Sequence, residues 1–176
     1  MLPVETDPSI ADGVEHALDP SWIELQRVIG WIVWAVLTPL LLGVVVITVF
    51  AGSFASGLDA LLFLAWIAMS VLLAWLAQRW PPIEYRYFRY RIDGQGIDIR
   101  LGVLWRRVIS VPRSRVQHID VAQGPLERRY GLASLSIYTA GTEFARVDLP
   151  GLPYERALRI RDHLLPGREH GADDGT

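Results

Sequence analysis

A chain of 176 residues that is 51% apolar and 20% charged has room for one ordinary domain plus a separate hydrophobic element. Its charge is segregated: residues 1–27 carry six acids against Arg27, residues 28–78 hold Asp59 as their one charge, and residues 84–165 hold 14 arginines against nine acids, a net of +5. Cysteine, lysine and asparagine are absent, which excludes disulfides and thiolate chemistry, Schiff-base catalysis, a P-loop lysine and N-glycosylation.

The acidic stretch, residues 1–27, reads as a polar N-terminal tail. Behind it "VIGWIVWAVLTPLLLGVVVITVF", residues 28–50, is an uncharged run that as a helix matches a hydrocarbon core of roughly 30 Å. A second run, "ALLFLAWIAMSVLLAWLA" at residues 60–77, follows after the short, turn-like "AGSFASGLD", so residues 28–79 read as a two-helix transmembrane hairpin. Pro39 and Gly43 are tolerable inside a span because neighbouring packing re-satisfies the backbone. "SFA" resembles a signal-peptide cleavage site. However, the first run follows acids in place of a basic region and exceeds a signal-peptide core in length. A buried hairpin of a soluble protein is also disfavoured, because both runs are apolar all the way round.

Arg79, Arg86, Arg89 and Arg91 follow the second run closely, Arg27 abuts the first, and the connecting loop has only Asp59. The positive-inside rule then puts both termini on the cytoplasmic side of the membrane.

"WPP" at residues 80–82 reads as the stop of the second helix, and from there the period changes to two. In "YRYFRYRI" Phe88, Tyr90 and Ile92 alternate with arginines, and in "GIDIRL" Ile97, Ile99 and Leu101 alternate with Asp98 and Arg100, the two joined by the turn "DGQG". Further strands are expected in "VLWRRVISV", "RVQHIDV", "LASLSIYT" and "EFARVDL". "LPYERALRIRDHLL" returns to a helical period, with Tyr154, Ala157, Leu158, Arg161, Leu164 and Leu165 on one face. Residues 83–166 therefore form a small, mainly β domain closed by a helix, and residues 167–176 a disordered polar tail.

Two membrane helices, then "IDGQGIDIRLGVLWRRVISVPRSRVQHIDVAQGPLERRYGLASLSIYTAG", then "LPGLPYERALRIRD": this order resembles the YdbS-like membrane proteins that carry a bacterial pleckstrin-homology-like domain. "PRSRVQHIDVAQGPLERRYGL" followed by "TAG" is the most specific part. The resemblance implies a PH-like fold, two packed antiparallel sheets forming a partly open barrel capped by a C-terminal helix. It implies no catalytic residues, since the family is described chiefly by its fold.

On a strand, His118 and Asp120 share one face, a spacing that can orient a general base or a metal ligand. No HExxH, GxSxG or paired-histidine spacing accompanies them, so His118 reads as a semi-exposed residue bonded to a neighbour. No catalytic residue, metal site or cofactor is expected. "GPLERRYGL" reads as one helical turn between strands, with Leu126 and Tyr130 inward and Glu127, Arg128 and Arg129 outward. Arg128 and Arg129 join Arg106, Arg107, Arg113 and Arg115 in an expected basic surface. Beside an anionic leaflet each such arginine is attracted by roughly 1 kcal/mol; paired with neighbouring acids in solvent, each is worth little.

The expected function is a non-enzymatic, membrane-anchored interaction module that presents this surface to a protein partner, another copy of itself, or anionic phospholipid. The alternative is an accessory subunit of a membrane transport or export complex bound through its hairpin, with Gly30, Gly43, Ser53, Ala65 and Ser70 marking close helix contacts. A net of +5 is too modest for nucleic-acid binding.

Overall fold

The computed structural model describes residues 10–51, 56–140 and 146–165. They divide into two compact units, one of residues 23–83 and one of residues 10–22 with 84–165.

The first unit is the helical pair. Helix α1 runs over Ser21–Ala51 and helix α2 over Ser56–Tyr87. Each is long and apolar enough to cross a membrane, and in their most apolar windows only 6% and 0% of residues are buried within the protein. That outward exposure separates them from the core helices of a soluble domain, which turn their apolar faces inward. They pack antiparallel through small residues and shared hydrogen bonds. A Cβ added at Gly30 would lie 2.8 Å from the Ala77 Cβ, so glycine there permits close approach. Trp34 Nε1 donates to the Ser70 carbonyl at 3.0 Å, and Trp66 Nε1 donates to the Thr38 carbonyl at 2.9 Å. Both bonds satisfy indole donors that hydrocarbon would leave without partners.

Two expectations about these helices need correction. Helix α1 begins at Ser21, well before residue 28. Helix α2 does not stop at "WPP": it passes through Pro81 and Pro82 to Tyr87. The prolines remove two backbone donors and free the carbonyls of Ala77 and Gln78, but they do not forbid helical φ.

The second unit is built on two antiparallel sheets. Strands β1 (Glu15–Ala17), β2 (Arg89–Ile92), β3 (Gly96–Leu101) and β4 (Arg107–Pro112) form a meander in that order. Strands β5 (Val116–Ala122), β6 (Leu132–Thr139) and β7 (Arg146–Pro153) form the second sheet. No barrel closes among the described residues. The period-two expectation holds: Phe88, Tyr90, Ile92, Ile97 and Ile99 are all buried. Helix α3 (Pro125–Arg129) links β5 to β6, and helix α4 (Tyr154–Leu164) packs on β5, β6 and β7. The buried face of α4 is Ala157, Ile160 and Leu164; Tyr154 is exposed, so the expected face is rotated and Ile160 replaces it. The start of the expected strand "EFARVDL", and the expected tail at residues 167–176, lie outside the described residues.

Strand β1 revises the boundary expected at residue 27. Glu15, His16 and Ala17 pair with Arg91, Tyr90 and Arg89, and Glu15 forms an ion pair with Arg100. Asp19 N–H donates to the Gly151 carbonyl at 2.9 Å. Gly151 has φ +68°, and a Cβ there would lie 2.4 Å from Trp22 Cδ1. Only glycine combines that left-handed backbone with the close approach of the indole. Trp22 is 2% exposed, so part of the acidic tail belongs to the core of the domain.

Gly151→Ala is expected to destabilise the protein by about 1–3 kcal/mol through backbone strain and displacement of Trp22. The measurement is the thermal midpoint of the full chain in detergent, and an unchanged midpoint would refute the packing described. Gly30→Leu should overpack the helical pair by about 1–3 kcal/mol. It should lower resistance of the helical unit to denaturing detergent while leaving β-sheet circular dichroism intact.

Candidate interaction surface

The antiparallel meander fixes what lies together at each end of the first sheet. Ala17 is opposite Arg89, Arg89 opposite Arg100, and Leu101 opposite Arg107. The end of β1, the start of β2 and the β3–β4 loop therefore share one end of the sheet. Both helices leave the domain there, because α1 follows β1 and α2 precedes β2.

That register leaves residues 102–106 as a loop, whereas the sequence reading placed most of them in a strand. Gly102 has φ +105°, and a Cβ on it would lie 1.9 Å from the Trp105 carbonyl oxygen. The chain thus folds back tightly on itself, and the residues between have no strand partner. Leu104 is 80% and Trp105 89% exposed. Next to them the Arg106 guanidinium stands over the Tyr87 ring at 5.8 Å from its centroid, within cation–π range, while Arg107 opens β4 and is exposed.

The six arginines do not form one surface. Arg107 starts β4 and Arg113 follows its end, a separation of about 20 Å at roughly 3.3 Å per residue. Arg113 and Arg115 belong to a 3₁₀ turn between the two sheets, where Arg113 N–H donates to the Gln95 carbonyl at 2.7 Å and Arg113 Nε is buried without a partner. Arg128 and Arg129 are exposed on α3. Among the described residues none of the six is in an ion pair; the acids take Arg91, Arg100, Arg146 and Arg161 instead.

Glu127 is not outward as expected. Its Oε2 accepts from Gly124 N–H at 2.7 Å and its Oε1 from the Ser134 hydroxyl at 2.6 Å, which ties α3 to β6. Leu126 and Tyr130 are half-buried.

His118 and Asp120 do share the exposed face of β5, flanking buried Ile119. The His118 ring lies 5.7 Å from that of Tyr138, its cross-strand partner. Tyr138 also carries Arg146 at 5.7 Å. Arg146 Nε donates to Asp148 Oδ1 at 2.8 Å, and the Ser136 hydroxyl donates to the same oxygen at 2.6 Å. Partial burial alone would raise the Asp148 carboxyl, but the Ser136 and Arg146 bonds hold it below its ordinary value. Asp93, at the β2–β3 turn, is likewise held low by the backbone N–H groups of Gln95 and Gly96. Among the described residues no three metal-ligating side chains converge. The cross-strand ladder is a bonded structural network around His118.

The model of the bacterial PH domain family matches residues 25–168. The chain belongs to that family. It is 28% identical over 150 residues to the UPF0699 transmembrane protein YdbS of Bacillus subtilis (strain 168), covering 85% of this chain and 90% of that protein. It is also 32% identical over 102 residues to the UPF0699 transmembrane protein YdbT of the same organism, covering 56% of this chain and 20% of YdbT. No solved structure matches the chain. This bacterial PH domain is therefore part of a YdbS-like membrane protein, with two transmembrane helices preceding most of its sheet structure.

Sequence reasoning missed Leu104 and Trp105. The available signal was the run Val103-Leu104-Trp105 behind Gly102, three successive apolar residues that break a period of two. It also missed the ladder residues Ser136, Tyr138, Arg146 and Asp148, whose partners lie on separate strands.

The folded-state pKa values of Asp93 and Asp148 are depressed, so their contribution to stability is full above the unfolded value of 3.8 and is lost as pH falls through the lower folded values. Acid unfolding of the detergent-solubilised chain should be flat from neutral pH to about 4 and steepen below. Asp148→Asn should reduce that acid slope; an unchanged slope would contradict the assigned network.

Proposed function

We propose that this protein is a non-enzymatic interaction module, held by its transmembrane hairpin at the cytoplasmic face of the cell membrane with both termini inside. The module presents its surface to a protein partner, a second copy of itself or anionic phospholipid. The observation that carries the reading is the interlock of anchor and domain. Strand β1 precedes the hairpin and pairs with β2 behind it, so the sheet is joined to the membrane helices by two chain connections.

Two features support adhesion in preference to chemistry. Beside His118, which lies against the Tyr138 ring, Ser136, Arg146 and Asp148 are bonded to one another, and the six arginines are distributed over separate corners with their charge left free of ion pairs among the described residues. The edge strands β1, β4, β5 and β7 have one unpaired side each within their sheets, a ready surface for strand addition by a partner or a second copy. Arg106, Arg107, Arg113, Arg115, Arg128 and Arg129 supply the charged contacts, in three groups.

A second reading, an accessory subunit of a transport or export complex bound through its hairpin, is favoured by the outward apolar faces of α1 and α2. Gly43 has open space around it, whereas Gly30 and Ser70 are used within the hairpin itself; Ser53 lies outside the described residues.

Crosslinking in intact membranes, followed by identification of the captured species, separates the two. Under the module reading the full chain captures a partner and the hairpin fragment alone does not; retention by the hairpin alone would transfer the function to the second reading. Protease added outside sealed cells should leave the C-terminal half intact. Digestion of that half from outside would refute the cytoplasmic placement.

A further inference from the structure

We propose that the β3–β4 loop is a bilayer-docking element, in which Leu104 and Trp105 enter the interfacial zone of the leaflet and Arg106 and Arg107 engage the phosphates of anionic phospholipids. The inference rests on the module reading above and gives one of its surfaces a specific occupant.

Among the described residues of the domain, Leu104 and Trp105 are the most exposed large apolar side chains, at 80% and 89%. They stand at the tip of a loop that Gly102 closes against the Trp105 carbonyl, so the fold holds them outward. Two adjacent large apolar side chains this far exposed form a small apolar tip, a feature suited to contact with an apolar medium. Tryptophan favours the membrane–water interface, where its ring meets apolar chains and its N–H meets water and headgroups.

The surrounding charge fits the same occupant. Residues 99–119 contain no acid, and Arg106 and Arg107 form no ion pair among the described residues. Their planar guanidinium groups match phosphate geometry. The sheet register places this loop at the end where the chain enters and leaves the membrane helices, and Arg106 lies over Tyr87, the last residue of α2. The domain is covalently joined to both membrane helices, through β1 to α1 and through β2 to α2, which makes the encounter with the leaflet intramolecular.

A second protein copy fits less well. A stable protein interface needs on the order of 1,200 Å² of buried surface, whereas this feature is a tip bearing two apolar side chains. For a domain already tethered to the bilayer, an interfacial aromatic and neighbouring arginines match what a leaflet offers.

The absence of cysteine makes the test direct. An environment-sensitive fluorophore is attached to Leu104→Cys in the full chain. The control is Ser114→Cys, an exposed position in the turn beyond the other end of β4. Each is reconstituted into phosphatidylcholine vesicles with or without phosphatidylserine, and quenching by lipid-borne and by aqueous quenchers is compared. The expected result is strong lipid quenching and aqueous protection at position 104 with phosphatidylserine, and neither at position 114. Arg106→Gln and Arg107→Gln should shift the docked-to-free ratio by roughly fivefold each in the anionic vesicles, with little change in phosphatidylcholine alone. A position 104 that stays accessible to aqueous quencher in both vesicles overturns the proposal and leaves the module reading standing. Protection that depends on protein density and is blind to the lipid quencher also overturns it, and assigns the loop to a second copy of the chain. Capture of the native partner by the hairpin alone, in the crosslinking experiment, is the separate result that removes the module reading itself.

Discussion

Strand β1 is three residues long, yet it completes a sheet whose next strand lies two membrane-length helices further along the chain. Pairing of Glu15–Ala17 with β2 requires the two ends of the helical pair to meet. In a flexible chain that closure would carry a loop-entropy penalty. A preformed antiparallel helical pair returns the chain close to where it left and removes much of that penalty. The contact of Trp22 with Gly151, the hydrogen bond from Asp19 to the Gly151 carbonyl and the Glu15–Arg100 ion pair then hold the short strand in place. Domain and anchor are therefore interdependent, and the first sheet is incomplete without the residues that precede the membrane.

The same constraint organises the surface. Because the meander alternates direction, the exit of both helices and the β3–β4 loop must share an end, and the turn containing Asp93 must occupy the other. The loop's exposed Leu104 and Trp105, with Arg106 and Arg107, consequently share an end of the sheet with the end of β1 and the start of β2. Arg113 and Arg115, at the far end of β4, are about 20 Å away along the strand. An arginine-rich sequence stretch is thereby divided into groups with different neighbours, and the charge of each has to be weighed separately.

Within the sheets, acids and arginines are arranged as local partners. Asp148 accepts from Ser136 and Arg146, Asp93 from two backbone N–H groups, and Glu127 from Gly124 and Ser134. These carboxylates act as fasteners for turns and cross-strand ladders. The helical pair follows an equivalent logic in a medium without water, with Trp34 and Trp66 each donating to a carbonyl of the facing helix.

Hydropathy and periodicity by themselves determined two spans, a mainly β domain and a closing helix, because long uncharged runs and a period of two survive any detail of packing. The alternation of Phe88, Tyr90 and Ile92 declared a buried face directly, and the order of elements together with "PRSRVQHIDVAQGPLERRYGL" carried the resemblance to the family. Tertiary structure alone decided that part of the acidic segment is a strand and that "VLWR", residues 103–106, is a loop. It also showed that Glu127 is bonded and that the six arginines are dispersed. In each case the deciding partner lies on another element or across a turn: β2 for β1, the Trp105 carbonyl for Gly102's backbone, Ser134 for Glu127. Local propensity carries no information about such partners, since a three-residue strand has no period to detect and a charged side chain looks the same whether it ends in water or on a neighbouring strand.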